Sequence, residues 1–179
     1  ETFVFDKRIS FIVKEVKNGV FFENNEFQLE AYQLEHGIET LGYRLVEKDK
    51  RKVDMKKVKK IGIPIGSLLG KLQQGNSVEH NGKNINPDEV TYIESGKKIA
   101  YITDTILCDN CYKAAENADL LICEATYSSK LVDKSEEYGH MTAKQAAQLA
   151  NKSNAKKLVL IHFSARYKNT QELEEDARN

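Results

Sequence analysis

KKIAYITDTILCDNCYKAAENADLLICEA, Lys97 to Ala125, decides the fold. Two short apolar runs, KKIAYIT (Lys97 to Thr103) and LLICEA (Leu120 to Ala125), have the length and composition of buried strands. Between them, the residues around Asp109 to Asn117 read as a helix. The same alternation continues downstream. Thr142 places a hydroxyl at the start of the helical segment AKQAAQLANK, the strand KLVLIHF (Lys157 to Phe163) follows, and a terminal helix runs from Thr170 to Asn179. Upstream the pattern changes to strands alone: ISFIVKEV (Ile9 to Val16), GVFFE (Gly19 to Glu23), FQLEAYQL (Phe27 to Leu34) and LGYRLVE (Leu41 to Glu47). Polar breaks such as Lys17-Asn18-Gly19 and Asn24-Asn25 separate them, as in an antiparallel meander. The fold class is therefore α/β, with the α+β character that a leading meander adds.

Between these halves the composition shifts. Lys48 to Lys60 holds eight basic residues in thirteen positions, and Gly62 to Pro87 carries both prolines and five of the ten glycines. Such a segment is expected to supply little core, so residues 49–95 read as an excursion from a domain spanning 1–179.

Composition narrows the function. The chain has 179 residues, 40% of them hydrophobic, enough for one buried core. Its 27 basic and 27 acidic residues cancel, so no whole-molecule field draws it to nucleic acid or acidic lipid, and any basic surface must be local. With no apolar run of about 18 residues and no signal-peptide pattern, a soluble cytoplasmic protein is expected. Cys108, Cys111 and Cys123 are too few and too irregular for a disulfide framework, and a lone CxxC lacks the further ligands of a structural zinc site. They are expected to be plain thiols. The start at Glu1 inside a strand pattern and the end inside a helix suggest a piece of a longer protein.

Three acid or imidazole residues fall at the ends of expected strands: His36, Asp104 and His162. A sheet can present ligands from such ends to one rim, and imidazole and carboxylate oxygen are ligands that catalytic zinc accepts. A histidine also serves as an ordinary surface or core residue, and Asp-Thr after a strand is a common turn or cap. Spacing by itself leaves both readings open.

The motifs around these residues carry a resemblance. In order they are LEHGIETLGYRLVEKD (Leu34 to Asp49), GIPIGSLLGKLQQG (Gly62 to Gly75), ITDT (Ile102 to Thr105), ADLLICEAT (Ala118 to Thr126), GHMTAKQAA (Gly139 to Ala147) and LIHFSARY (Leu160 to Tyr167). Together they resemble the C-terminal part of the ribonuclease Z family, the tRNA 3′-processing endoribonucleases of the metallo-β-lactamase superfamily. The resemblance implies an αββα sandwich, here incomplete, with an inserted projecting arm. It implies two Zn2+ ions in the complete protein, with His36, Asp104 and His162 as ligands and Asp104 bridging both metals. It implies that His140 donates a proton to the leaving oxygen with Glu124 as its carboxylate partner, and that Arg166 binds phosphate. Lys144 could act likewise or be an ordinary exposed helix lysine.

The same resemblance makes residues 49–95 a tRNA-gripping arm, with Lys56, Lys57, Lys59, Lys60 and Lys71 on phosphates, where the charge run alone reads equally as a solvated linker. His80, at the expected arm tip, is not expected to be a ligand. Precursor tRNA and a second copy of the chain in a homodimer are the implied partners. The chain departs from the family in three places. The HxHxDH cluster that supplies most ligands of the first metal is absent from these 179 residues, Ser67 stands where proline is usual after Gly66, and Thr103 stands where glycine is usual. The expectation is an endoribonuclease whose present piece is inactive by itself until joined to the missing N-terminal part. The rivals are another hydrolase of the same fold, such as a small-molecule phosphodiesterase or an arylsulfatase relative, and a non-catalytic RNA-binding fragment.

Overall fold

The computed structural model describes residues 12–179. Three antiparallel strands open it: β1 (Gly19–Glu23), β2 (Phe27–Leu34) and β3 (Thr40–Glu47). The strand expected over Ile9 to Val16 falls partly outside the described residues. Ile12 to Val16 form no strand, and Ile12 and Val13 are 96% and 80% exposed. The alternation is present there, but β1 already forms the sheet edge among the described residues, and an alternating run without a pairing neighbour has nothing to hold it extended.

The next segment leaves the sheet on a two-stranded stalk, β4 (Lys50–Val53) paired antiparallel with β7 (Thr91–Glu94). Between its legs lie α1 (Met55–Ile61), α2 (Ser67–Gln73), the hairpin of β5 (Val78–His80) with β6 (Lys83–Ile85), and α3 (Pro87–Val90). The segment supplies more core than its composition suggested. Val58, Ile63, Leu69, Leu72, Val78, Ile85 and Val90 form a separate buried cluster. Those residues are spread thinly over short elements, so no helical or strand period exposes them in the sequence. Caps do much of the local work. Asp54 accepts from the Lys56 and Lys57 amides, Gly62 turns through φ +80° to end α1, and Asn86 with Glu89 forms a capping box on α3. At the base, Gly96 lies where a Cβ would stand 1.9 Å from the Glu47 carbonyl oxygen, so only glycine lets the returning chain pass β3.

The chain then re-enters the sheet as β8 (Lys98–Ile102), α4 (Asp109–Ala115), β9 (Leu120–Glu124), α5 (Val132–Glu137), α6 (Ala143–Lys152), β10 (Leu158–Ile161) and α7 (Gln171–Arg178). The sheet order is β1-β2-β3-β8-β9-β10, with β8, β9 and β10 mutually parallel. Helices α4 and α6 cover one face, burying Ala100, Ile102, Leu121 and Cys123 against Cys111, Ala114, Ala115, Ala118, Met141, Ala146 and Leu149. Under α4, Arg44 donates to the Lys113 carbonyl at the end of the helix, and Tyr32 donates to Glu30 at 2.6 Å. Burial first, and then the Glu30 carboxylate, push the Tyr32 phenol up to about 12. The opposite face stays open. Register places Tyr43 beside Tyr101 and Val159 beside Ile122, and Phe22, Tyr43, Ile99, Tyr101 and Val159 are all exposed there. No helix among the described residues is long and apolar enough to cross a membrane.

Candidate metal and catalytic site

Strand direction gathers the expected residues. β2 runs antiparallel to β3, and β3 antiparallel to β8, so β2 points the same way as β8, β9 and β10. His36 follows β2, Asp104 follows β8, Glu124 ends β9 and His162 follows β10, which puts all four at one rim. Carboxyl ends of parallel strands are where α/β sheets collect their chemistry, because each strand there releases a loop free to aim a side chain. Asp104 and His162 both take up positive φ, at 49° and 59°. Aspartate and histidine tolerate this backbone better than most residues, yet it still costs free energy unless the surroundings fix it.

Glu124 is that fixing point. Its side chain is fully buried, and its two oxygens accept four donors. Oε1 receives the Thr105 amide at 2.6 Å and faces His140 Nδ1 at 3.2 Å; Oε2 receives the Thr126 hydroxyl at 2.7 Å and the Met141 amide at 3.1 Å. A buried carboxylate is tolerable only when its lone pairs are taken up in this way. The donors come from three parts of the rim. Thr105 follows Asp104, Met141 follows His140, and the Thr126 oxygen lies 2.9 Å from His162 Nδ1. With its own proton given to Glu124, the Thr126 hydroxyl accepts from Nδ1–H of His162, which leaves Nε2 as the basic nitrogen. That atom lies 3.1 Å from Asp104 Oδ1. Such a carboxylate–hydroxyl–imidazole chain is how a metal-binding histidine has its tautomer fixed.

His36 is held separately. Its Nδ1 donates to the Gly139 carbonyl at 2.9 Å, and Gly139 itself has φ +73°, with no room for a Cβ because one would lie 2.7 Å from that same nitrogen. The loop before His36 is tied to the Asp104 loop by the Ile106 amide, which donates to the Glu35 carbonyl at 2.9 Å. The imidazole of His140 lies between the other two, with ring centroids 5.0 Å from His36 and 5.2 Å from His162.

The donor set fits a metal ion. Ligand atoms of His36, Asp104 and His140 lie within 4.8 Å of one another, and so do those of Glu124, His140 and His162. Imidazole with carboxylate is the mixture that zinc and similar divalent ions accept. Both groups include His140, and the trio His36, Asp104 and His162 does not form one; three histidines and one aspartate are at most enough for one ion and too few for two.

The remaining sequence candidates divide. Arg166 lies with its guanidinium carbon 4.9 Å from the Tyr127 ring, and that ring is 6.3 Å from His140, so Arg166 stands beside the cluster with its charge exposed. Lys144 occupies the first turn of α6, where its amide donates to Asp176, and among the described residues no hydrogen bond or ion pair joins its side chain to the histidines. Lys56, Lys57, Lys59, Lys60 and Lys71 are exposed on α1 and α2, far along the chain from the rim. His80 faces the Gly62 carbonyl at 3.0 Å, away from any ligand group. Sequence reasoning missed Thr105, Thr126 and Gly139 as parts of the site. Thr105 and Gly139 adjoin Asp104 and His140, and Thr126 lies two residues after Glu124; that nearness was the available signal.

Comparison with known proteins agrees with this geometry. Residues 78–163 match the family model described as the β-lactamase superfamily domain. Ribonuclease Z of Protochlamydia amoebophila is 41% identical over 162 residues, 90% of this chain and 53% of that protein. Ribonuclease Z of Archaeoglobus fulgidus is 38% identical over 170 residues, 93% of this chain and 56% of that protein. The chain thus spans about half the length of these relatives. Among solved structures, human tRNase Z, short form, superposes with a TM-score of 0.52 at 29% identity, covering 84% of this chain and 41% of that one. The metallo-β-lactamase fold protein YhfI of Bacillus subtilis gives 0.54 at 16% identity, covering 89% and 45%, a likeness of fold alone. By sequence and by architecture, the chain matches part of the ribonuclease Z proteins and carries the corresponding part of a metallo-β-lactamase fold.

Proposed function

We propose that this chain supplies about half of a zinc-dependent endoribonuclease that removes the 3′ trailer of precursor tRNA, leaving a 3′-hydroxyl on the tRNA. The observation that carries the reading is Glu124. One buried carboxylate holds His140 directly and His162 through Thr126, and the rim it organises belongs to a chain 41% identical to a ribonuclease Z. His36, Asp104 and His162 are assigned as ligands, and a bound divalent ion supplies positive charge against water and phosphate oxygens. His140 is assigned as the proton donor to the departing oxygen. Glu124 accepts from Nδ1, so the other nitrogen is the one that carries the transferable proton, and the carboxylate steadies the imidazolium before transfer. Arg166 offers a planar, exposed guanidinium for a phosphate flanking the cleaved bond. The open apolar sheet face receives the rest of the domain, which would bring the further ligands that a second ion needs.

The test uses the full-length protein. His140→Ala should lower turnover by at least a hundredfold while bound zinc stays near the wild-type amount; unchanged turnover overturns the assignment. Deleting residues 49–95 should abolish cleavage of precursor tRNA and spare a small phosphodiester. Equal loss of both would favour a hydrolase of the same fold with a small substrate.

A further inference from the structure

Cys108 and Cys111 take no part in the rim, and their sulfurs are in contact. The two Sγ atoms are 3.5 Å apart, and the Cys111 amide donates to the Cys108 carbonyl at 3.0 Å, so one turn of backbone already holds both side chains on the same side. The two thiols differ in environment. Cys108 is buried but keeps 9% exposure, whereas Cys111 and Cys123 have none. Among the described residues no third ligand atom gathers with the pair, which argues against a metal site there.

We propose that Cys108 and Cys111 form a thiol–disulfide exchange site for low-molecular-weight disulfides, with Cys108 as the attacking thiol and Cys111 as the resolving one. The Cys108 thiolate attacks one sulfur of the small disulfide and expels its other half as a thiolate, leaving a mixed disulfide on Cys108. Cys111 then loses its proton and attacks the Cys108 sulfur, expelling the second half. In sum the protein dithiol loses two electrons and two protons, and one small disulfide becomes two thiols. Only a small displacement is needed, from 3.5 Å to the roughly 2.05 Å of an S–S bond. The order of attack follows from exposure and from the hydrogen bond between the thiols. The contact between the two sulfurs holds the Cys108 thiol below the ordinary thiol range and pushes the Cys111 thiol up, and the Cys111 S–H also reaches the Ile106 carbonyl at 3.7 Å. Burial pushes the Cys123 thiol up as well, so it serves as an internal control.

The test exposes the purified full-length protein to a graded series of oxidised and reduced glutathione, quenches in acid, unfolds the protein, alkylates the free thiols and follows Cys108, Cys111 and Cys123 by peptide mapping. The expected result is loss of two of the three alkylatable cysteines together, with peptide mapping giving a Cys108–Cys111 crosslink and Cys123 alkylated throughout. In the trapping arm, Cys111→Ser should accumulate glutathione on Cys108, and Cys108→Ser should leave Cys111 free. All three thiols remaining alkylatable across the series would overturn the proposal, as would glutathione settling first on Cys111 or Cys123. The wild-type crosslink decides the matter even if either serine variant fails to fold.

Discussion

The Glu124 carboxylate meets the His140 imidazole at 3.2 Å between Oε1 and Nδ1, while the same oxygen takes the Thr105 amide at 2.6 Å. Both oxygens are committed to donors, and that makes glutamine a poor substitute. Whichever oxygen the amide NH2 replaces, a backbone N–H, of Thr105 or of Met141, is left facing another donor inside the core. Glu124→Gln should therefore cost about 2–4 kcal/mol, the loss of charge-assisted hydrogen bonds plus one unsatisfied buried group. Urea denaturation should show the midpoint falling at constant m-value. A loss below about 0.5 kcal/mol, the usual size of a surface change, would mean that the carboxylate is not the hub described.

Thr126 separates orientation from ligation. Valine matches its shape but can neither accept from His162 Nδ1 nor donate to Glu124. In the full-length protein Thr126→Val should weaken zinc binding by about 10–100-fold, the range seen when the outer partner of a ligand histidine is lost. Thr126→Ser should restore most of it. Calorimetric zinc titration distinguishes the two, and equal affinity for the valine variant and wild type would dismiss the hydroxyl relay.

Gly139 is constrained from two directions, its φ of +73° and the His36 nitrogen 2.7 Å from where a Cβ would stand. Gly139→Ala should destabilise the fold by roughly 1–3 kcal/mol from backbone strain. It should also shift the His36 ring, visible as a displaced imidazole resonance in the NMR spectrum. If only stability falls and the His36 signals stay in place, the glycine is needed for the turn and not for the histidine.

The strand ends that hold His36, Asp104 and His162 were legible because apolar runs mark buried strands and their polar terminators stand out. FQLEAYQL and AKQAAQLANK coincide with β2 and α6. His162 was read inside its strand and lies one residue beyond it, since β10 ends at Ile161. The convergence of the ligands on one rim was not legible, because it depends on two antiparallel reversals, β2 to β3 and β3 to β8, and residues 49–95 intervene to hide the second pairing. Thr126 and Thr105 were hidden for another reason. A threonine one or two positions after a carboxylate has no pattern until the fold supplies its second partner, 36 residues away for Thr126.

At the other end of the strands, Asp119 collects three donors: Lys156 Nζ at 2.8 Å, the Lys98 amide at 3.0 Å and Lys97 Nζ at 3.3 Å. Lys156 first, with the Lys98 amide next, holds the carboxyl at about 2. A folded-state value depressed below the unfolded one near 3.9 gives stability that is present above about pH 4 and lost as pH falls toward 2. Solvent reaches both lysines, so the contribution is on the order of 1 kcal/mol. The stability gap between wild type and Asp119→Asn should hold from pH 7 to about 5 and then close. A gap that stays constant down to pH 2 would trace the effect to something other than this charge.

The lysines from Lys48 to Lys60 fall into two groups, and salt dependence should tell them apart. Lys48 pairs with Glu23 at 2.7 Å and Lys52 with Glu94 at 3.8 Å, so the charge at the stalk is already answered. Lys56, Lys57, Lys59 and Lys60 surround the single buried residue of α1, Val58, and no ion pair engages them among the described residues. If this helix meets a phosphate backbone in the full-length protein, each contact releases counterions and adds roughly 0.7–0.9 to the slope of log affinity against log salt. Replacing all four by alanine keeps Val58 and favours the helix, so the fold should survive. The slope for precursor tRNA should then flatten by roughly 1–3, with affinity at low salt falling most. Lys48→Ala, which removes a paired charge, should leave the slope as it was. Identical slopes for the quadruple variant and wild type would mean that the charge on α1 is merely solvated and that tRNA is gripped elsewhere.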